Sequence, residues 1–235
     1  MKLFLITVSF FLYSYILVSF EEKHLEKLIQ TNSCIGCDLS FADLTKVNLI
    51  DANLEGSNLS SANLSSADLS NANLSFVNLS KVKAYIANFN NANLEGANLT
   101  EAKFNGASLI KANLMDATLI STVFSKSNAQ EITLDGAHLK YTKFRGAKLM
   151  KAKFSGSYLT MADFSGANLT GAEMIAIDLS NSVFVSAKLG EVNFRDSNVS
   201  GMNFARYSLD KSNFINSIMC DVLVPWSDKK IECDN

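Results

Sequence analysis

The chain has 235 residues, 48% of them hydrophobic, and a formal net charge of −2. So small a charge excludes the strongly basic surface of a nucleic-acid-binding protein and the strongly acidic surface of a nucleic-acid mimic. The chain has only 2 histidines, and no Ser–His–acid grouping, metal-ligand cluster or phosphate-binding loop can be assembled from its residues. We therefore expect no catalytic activity, no cofactor and no bound metal.

Residues 1–20 have the pattern of a targeting segment. Lys2 is followed by an apolar run from Leu3 to Phe20 that carries no charge, which is typical of a secretory signal peptide. No Ala-x-Ala precedes Glu21, and the run is close to the minimum length of a membrane span. The alternative is therefore an uncleaved membrane anchor over residues 3–20. Both interpretations predict export, to the periplasm, the thylakoid lumen or the extracellular space.

Residues 21–38 are predicted to form an N-terminal cap that contains a Cys-x-x-Cys motif. Residues 21–33 fit a short helix in which Leu25, Leu28 and Ile29 share one face. An open end of a repeat array exposes strand edges and apolar core, so such arrays need caps. We expect this helix to cover the end of the array that follows it.

Residues 39–219 repeat every five residues with the consensus Ala-(Asn/Asp)-Leu-x-x. We call the Leu position the centre; 37 centres follow one another in unbroken phase, of which Leu occupies 22 and Phe 10. The residue two before the centre, which we call the small position, is nearly always small, as at Ala42, Ala62, Ala92, Ala112, Ser157, Ala167 and Ser197. This period matches neither a helix nor a flat strand. The frequent large apolar residues argue against a disordered low-complexity tract.

A chain that bends once per repeat can point every centre in the same direction. In a short extended segment, the small and central residues face inward and the Asn or Asp between them faces outward. The other two residues make the corner. Ten of the 11 glycines lie at the second residue after a centre position or, for Gly36, after its extrapolation, where a tight turn favours them.

The spacing of the phenylalanines predicts how many repeats make one coil. One series recurs every 20 residues, at Phe104, Phe124, Phe144, Phe164, Phe184 and Phe204, and a second series, Phe154, Phe194 and Phe214, lies ten residues out of phase. One coil therefore contains four repeats, and two opposite sides carry Phe ladders. Outward charges at the same spacing predict ion pairs between coils, such as Lys111 with Glu131 and Lys143 with Asp163.

A basic run lies within the array, without an acidic residue between its members. It consists of Lys140, Lys143, Arg145, Lys148, Lys151 and Lys153. Wrapped on a four-sided coil, these residues spread over several sides. We interpret them as solvated surface rather than as an anion-binding patch.

The repeat resembles that of the pentapeptide-repeat family, over about three quarters of the chain. The resemblance implies an all-β fold, a right-handed quadrilateral parallel β-helix, with backbone hydrogen bonds on all four sides. At roughly 4.8 Å per strand, the rod would be on the order of 40 Å long. The segment 28–39, with its Cys-x-x-Cys, is similar to the N-terminal segments of exported members of this family.

Residues 220–235 are predicted to cap the other end, with Val222, Leu223, Val224, Trp226 and Ile231 as the apolar material. The rod would hold Cys34 and Cys37 on the order of 40 Å from Cys220 and Cys233. A disulfide needs Cα atoms within about 7 Å, so cross-pairing and a four-cysteine zinc site are both excluded. Because export favours disulfides, we predict the pairs Cys34–Cys37 and Cys220–Cys233.

Three functional hypotheses follow. The first is a non-enzymatic, exported rod that binds an unidentified protein partner, binds no nucleic acid, and touches a membrane only if residues 3–20 are retained. The second comes from the family resemblance, since some members mimic DNA and bind topoisomerases; that role implies a cytoplasmic and more acidic protein. The third is thiol-redox chemistry at Cys34 and Cys37, which lack the βαβ setting of thioredoxin-like proteins. The sequence does not fix the oligomeric state.

Overall fold

A computed structural model describes residues 22–233 of the chain. The predicted targeting segment, residues 1–20, lies outside them. Within the described residues, no helix has both the length and the apolar composition needed to cross a bilayer.

The described chain begins with a helix, α1, over residues 22–31. Leu28 is buried and Leu25 packs against the same hydrophobic core, whereas Ile29 is 65% exposed. The predicted apolar face is therefore narrower than expected and consists of Leu25 and Leu28. Asn32 ends the helix with φ of +52° and donates its N–H to the Leu28 carbonyl, a cap typical of helix C-termini. The helix thus lies against the first coil of the array.

The array is a stack of four-sided coils in which each residue n pairs with residue n + 20. Parallel bridges of this spacing run without a gap from Ser33↔Asn53 to Asp178↔Asn198. Each side contributes a single bridging residue rather than a longer strand, because a corner follows at once. We number the sides by their outward residues, which recur every 20 residues along the chain. Side 1 contains every twentieth residue from 38 to 218, side 2 from 43 to 223, side 3 from 48 to 208, and side 4 from 33 to 213. The quadrilateral β-helix is therefore present; its right-handedness stays a prediction.

The ladder extends one repeat beyond the predicted array at each end. Cys34, buried at a centre position, precedes Leu39, and Val224, also buried, follows Met219. The bridges Ser33↔Asn53 and Asn203↔Leu223 place both of these repeats in register with the rest.

Most corners are type II turns; Arg206 and Lys211, near the C-terminal end, are corner residues without a positive φ. The carbonyl of Leu39 accepts the N–H of Ala42, three residues on, at 3.2 Å, and Phe41 between them has φ of +60°. A positive φ at the third turn residue alone defines this type and favours glycine there. Ten glycines occupy this position with φ between +62° and +75°, Gly36 and Gly201 among them. The predicted placement of the glycines is thus confirmed.

The outward Asn and Asp side chains hold the corners and join the coils. The Oδ1 atom of Asn58 accepts the backbone N–H of Ser60, two residues on, at 3.1 Å. The Nδ2 group of Asn78 donates to that same Oδ1 from the next coil at 3.1 Å. An Asp can start such a ladder, as Asp38 does by accepting from Asn58, but it cannot donate to the coil before it. This explains why Asn and Asp share the position and why Asn predominates.

The interior is filled by stacked side chains. Phe104, Phe124, Phe144, Phe164 and Phe184 form a ladder with successive ring centroids 5.0 to 5.2 Å apart. Phe154, from the second series, meets Phe144 and Phe164 edge-on at 5.9 and 5.7 Å. Edge-to-face and offset pairs of this kind add to the stabilisation from burial. The two predicted Phe series therefore face one another across the coil.

Hydroxyl groups at the small position stabilise neighbouring coils. Thr122 and Thr142 donate to the carbonyls of the central residues 23 positions earlier, Leu99 and Leu119, at 2.7 and 2.8 Å. Ser197 does the same to Met174 at 2.7 Å. A buried hydroxyl without a partner is destabilising, so this bond allows Ser and Thr to replace Ala.

The predicted ion pairs are found only in part. Lys111 lies 3.8 Å from Glu131, but Asp163 pairs with Arg145 rather than with Lys143. Both cations are one coil away from Asp163; Arg145, on the adjoining corner, presents a planar guanidinium that matches a carboxylate better than an ammonium does.

The C-terminal end departs from the regular coil. A short 3₁₀ helix, Lys211–Phe214, replaces a repeat, and its Asp210 and Asn213 cap each other in a capping box. Beyond it, Trp226 packs edge-on against Phe214 at 5.6 Å, and Val222 and Ile231 form an antiparallel bridge. This returning segment covers the last coil.

Candidate functional site

The four cysteines form two disulfides, one at each end of the rod. Cys34 and Cys37 are joined across the first corner, and Cys220 is joined to Cys233 in the C-terminal segment. Cys34 is completely buried and Cys37 is 3% exposed. The Sγ atom of Cys34 contacts the His24 carbonyl at 3.3 Å, so the first disulfide lies between helix α1 and the first coil.

The basic run does not form one patch. Lys143 lies on side 2, Lys148 on side 3 and Lys153 on side 4, because they bridge to different ladders. The other three members lie at three different corners: Lys140 between sides 1 and 2, Arg145 between sides 2 and 3, and Lys151 between sides 3 and 4. The register of the coil thus separates residues that are close in sequence, as predicted.

Residues 22–233 contain no group of three or more His, Cys, Asp or Glu side chains able to hold a metal ion. His138, an outward residue of side 1, stacks on Tyr158 of the next coil with ring centroids 4.7 Å apart. The other histidine, His24, has its Nδ1 atom 3.1 Å from the Asp38 carbonyl oxygen. Both rings are thus held in structural contacts.

The ladder is interrupted near the C-terminal end, on sides 2, 3 and 4. Three bridges are absent from the series in residues 33–223: those that would join Val183 to Asn203, Lys188 to Ser208 and Asn193 to Asn213. At the third, the 3₁₀ helix replaces the repeat, and the N–H of Phe194 still donates to the carbonyl of Asn213 at 2.7 Å. In the preceding coil, Phe164 and Gly166 donate their N–H groups to Val183 and Val185 at 2.7 and 2.8 Å. The corresponding N–H groups of Phe184 and Ser186 have no backbone acceptor within residues 22–233.

We attribute the separation of the coil of residues 180–187 from the coil of residues 200–207 to Tyr207. It occupies a small position, where the coils before it have Ala167 and Ala187. Its hydroxyl donates to the carbonyl of Phe184, 23 residues earlier, at 2.6 Å, which is the bond that Thr122 makes with a far shorter side chain. Burial raises the pKa of the Tyr207 phenol, so it stays protonated and able to donate. A phenol ring in an alanine-sized space holds the strands apart.

The opening is a cleft of about 810 Å³ between residues 180–187 and residues 200–207. Its walls include Val183, Phe184, Val185, Met202 and Tyr207, and Arg206 is the charged residue among those that line it. This volume lies within the usual range of ligand-binding pockets. The cleft is therefore the candidate site of the molecule.

The sequence prediction did not identify this cleft. The signal was present in the sequence. Residues 20 apart lie above one another in successive coils and form what we call a column, and Tyr207 is a large residue in a column of small ones. A comparison of the repeats column by column would have found it. The prediction was based on the central residues, and these recur every five residues without interruption past the cleft, so they give no sign of it.

Models of two pentapeptide-repeat families match the sequence. The model described as the pentapeptide repeat region matches residues 97–174, and the model of pentapeptide repeats in eight copies matches residues 48–83 and 187–223. These ranges cover most of the array whose coils are described above. The chain belongs to the pentapeptide-repeat family.

Solved structures of pentapeptide-repeat proteins also align with the chain. HetL of the cyanobacterium Nostoc sp., involved in the regulation of heterocyst differentiation, is 27% identical over 84% of this chain and 89% of its own, with a TM-score of 0.46. A protein of the Arabidopsis thaliana thylakoid lumen is 28% identical over 40% of this chain and 66% of its own, with a TM-score of 0.40. QnrB1, a plasmid-mediated fluoroquinolone resistance protein, is 16% identical over 86% and 90%, with a TM-score of 0.38. No curated protein sequence matches the chain.

Proposed function

We propose that the protein is an exported, non-enzymatic rod that acts as a rigid module for binding a protein partner. The observation that carries this proposal is the filled interior. Central and small side chains from Leu44 to Met174 are almost all completely buried, so the coil encloses no space for a substrate. Many of its outward Asn and Asp groups are engaged in ladders between coils. What the rod offers to other molecules is therefore its outer surface.

Export is supported by the cysteines together with the sequence of residues 1–20. Disulfides persist in oxidising compartments and are rare in the cytosol. All four cysteines are paired within the described chain. The apolar N-terminal run predicts the route to such a compartment.

The DNA-mimic hypothesis is disfavoured by the charge of the rod. Side 2 carries lysines as well as acids: Lys83, Lys103 and Lys143 lie between Asp43 and Asp163 along the rod. A mimic of DNA would need a continuous acidic surface along the axis, since DNA carries a charge about every 1.7 Å.

The redox hypothesis is disfavoured by burial of the first disulfide. Thiol–disulfide exchange needs access of an attacking thiolate to a sulfur atom, and Cys34 and Cys37 are buried beneath helix α1. We therefore assign this pair a structural role.

The non-reducing intact mass of the protein, purified from fractionated cells that make it, tests export. We expect a mass that lacks about the first 20 residues and the four hydrogens of the two disulfides, in the fraction outside the cytosol. Full-length protein with free thiols in the cytosol would contradict the proposal and make topoisomerase binding the next assay.

A photo-crosslinking scan tests the interaction role. A photoreactive residue is placed at one outward position of each side within one coil, at Asn78, Lys83, Asn88 or Asn93. We expect one adduct of constant mass, from one or two adjacent sides. Its absence from all four variants, with a further variant at Val183 also negative, would contradict a protein-binding role.

A further inference from the structure

We propose that the cleft between residues 180–187 and 200–207 binds an extended polypeptide segment. The segment pairs its backbone with the open edge of side 2, lays an apolar ring on Phe184, and directs a carboxylate to Arg206. This inference rests on the proposed protein-binding function and names its site. The Tyr207 ring, which we call the wedge, holds two coils apart. The proposal begins with the backbone hydrogen-bonding groups that are left without partners beside this wedge.

Both walls of the cleft present backbone groups in the alternating order of a β-edge. On one wall these are the N–H groups of Phe184 and Ser186 and the carbonyl of Ser182; on the other they are the N–H and carbonyl of Asn203. None of them forms a backbone hydrogen bond within residues 22–233. Val183, Ser186 and Asn203 are exposed beside them. Open edges of this kind recruit an added strand, with affinity supplied by main-chain hydrogen bonds.

The aromatic ladder ends inside the cleft. The Phe184 ring stacks on Phe164 at 5.0 Å, but the next ring in the series, Phe204, packs against Phe194 and Phe214 at 5.4 and 5.2 Å instead. Phe184 and Ala187 are 6% and 7% exposed, whereas Phe164 is completely buried. An inward side chain of the added strand would therefore take the place in the ladder that Phe204 leaves.

Charge complementarity selects an acidic segment. Arg206 lines the cleft, and no ion pair or hydrogen bond of its guanidinium is found within residues 22–233. It lies two residues after Phe204, at a corner. A carboxylate just after the inward apolar residue of the segment would be placed to meet it, and such pairs are strong because the guanidinium can bind in two places.

The spacing of the groups favours a polypeptide over a compact small molecule. Donors and acceptors recur along each wall with the repeat of an extended chain, roughly 3.3 Å per residue. A volume of about 810 Å³ has room for several such residues. A second copy of this chain is a less suitable occupant, because its regular coils in residues 33–178 are already joined by an unbroken series of bridges.

Amide NMR of the disulfide-intact protein tests the proposal, with the N-acetylated, C-amidated peptide Thr-Ala-Thr-Phe-Glu as probe. We expect saturable shifts of the amides of Phe184, Ser186 and Asn203 at millimolar peptide, with those of side 4 unchanged. Methylating the peptide nitrogens, or replacing its Phe by Ala, should weaken binding roughly tenfold, since each lost hydrogen bond or apolar contact contributes on the order of 1 kcal/mol. Equal binding of the methylated peptide would overturn the proposal, as would the absence of shifts.

Two variants of the protein make the test specific. Tyr207→Ala restores the alanine column, so the strands should close and peptide binding should be lost, whereas Tyr207→Phe keeps the wedge and retains binding. If Tyr207→Ala fails to fold, Arg206→Glu, at an exposed corner, provides the test. The parent protein should prefer the Glu peptide to its Lys counterpart, and Arg206→Glu should reverse that preference. An unchanged preference would overturn the acidic assignment. Failure of the peptide, alongside a successful crosslinking scan, would remove the cleft assignment and leave the rod's interaction role intact.

Discussion

The two parts of side 2, before and after Val183, follow the same repeat yet differ in structure. Up to Val183 every outward residue pairs with the residue 20 positions later, and beyond it the pairing stops until Asn203↔Leu223. The centres do not explain the difference. The ladder runs unbroken past Ala84 and Ala129, which are small residues at centres, but opens beside Tyr207, a large residue at a small position. The coil therefore tolerates small side chains at these two centres, and also the larger side chains of Ile132 and Ile177 at small positions, where the bridges are kept, but it opens beside the phenol of Tyr207.

The largest expected effect comes from a charge in the regular part. Leu119 is completely buried in the middle of the stack, and Leu119→Asp would bury an unpaired carboxylate at a cost of several kcal/mol. We expect no soluble folded protein, or loss of the cooperative thermal transition. Thr118→Asp is the matched control, because its side chain faces outward, where Asp fits the consensus. A normal melt of Leu119→Asp would contradict the coil arrangement.

Transplanting the wedge into the regular part is the next largest change. Ala147 occupies the same column as Tyr207 and is 1% exposed. In Ala147→Tyr the introduced phenol should separate the coils at Phe124 and Phe144, whose rings now stack at 5.2 Å. Overpacking of this kind costs about 1–3 kcal/mol. Denaturant unfolding should report the loss, and faster amide exchange at Phe124 should locate the opening.

An outward substitution one residue away, Lys148→Tyr, controls for the added ring without the wedge. If Ala147→Tyr behaved like this control, with the Phe124 amide still protected, side-chain size at the small position would not be what opens the ladder.

Two serines at small positions provide the next test. Replacing each by alanine should change the free energy of unfolding in opposite directions. Ser197 donates to the Met174 carbonyl and accepts the Ile177 N–H, so Ser197→Ala should destabilise the protein by about 1–3 kcal/mol. Ser127 is completely buried, and its Oγ has no partner within the described chain. Ser127→Ala should therefore stabilise by about 1 kcal/mol. Urea titrations of both variants measure the two signs, and equal signs would contradict the hydrogen-bond assignment.

The smallest effect concerns acid. Burial raises the pKa of Asp68, but hydrogen bonds from the Ser70 hydroxyl and N–H and from Asn88 outweigh it and hold that pKa below 3.8. The stabilisation from this carboxylate is complete above pH 3.8 and is lost as the pH falls through the lower pKa of the folded state. Asp68→Asn keeps the acceptor and cannot titrate, so its acid unfolding midpoint should lie slightly lower. A midpoint identical to that of the parent protein would remove Asp68 from the acid response.

The sequence predicted much of the regular part because its signals are local and repeated. Centres, small positions and corner glycines each recur at fixed offsets, so one interpretation applies to every coil. The prediction was less successful where a single residue breaks the pattern. Ile29 fits a helical apolar face by spacing alone, but of the three predicted residues only Leu25 and Leu28 pack against the core. Arg145 displaced Lys143 as the partner of Asp163, since guanidinium geometry is not visible in a charge pattern.

The candidate site lay beyond the prediction for a physical reason. An opening in a ladder depends on whether a side chain fits the volume available inside the neighbouring coil. That volume cannot be read from the five residues of a single repeat. Tyr207 is informative only when it is compared with Ala167 and Ala187, its neighbours along the rod axis at a sequence distance of 20 and 40.

Amide hydrogen exchange of the native protein, resolved by NMR, tests the central claim most directly. The account predicts strong protection of Phe164 and Gly166, whose N–H groups bond to the next coil, and exchange faster by orders of magnitude at Phe184 and Ser186, which face the cleft. Tyr207→Ala should slow the second pair to the level of the first. Equal protection of the two pairs in the native protein would show a closed ladder and contradict the account.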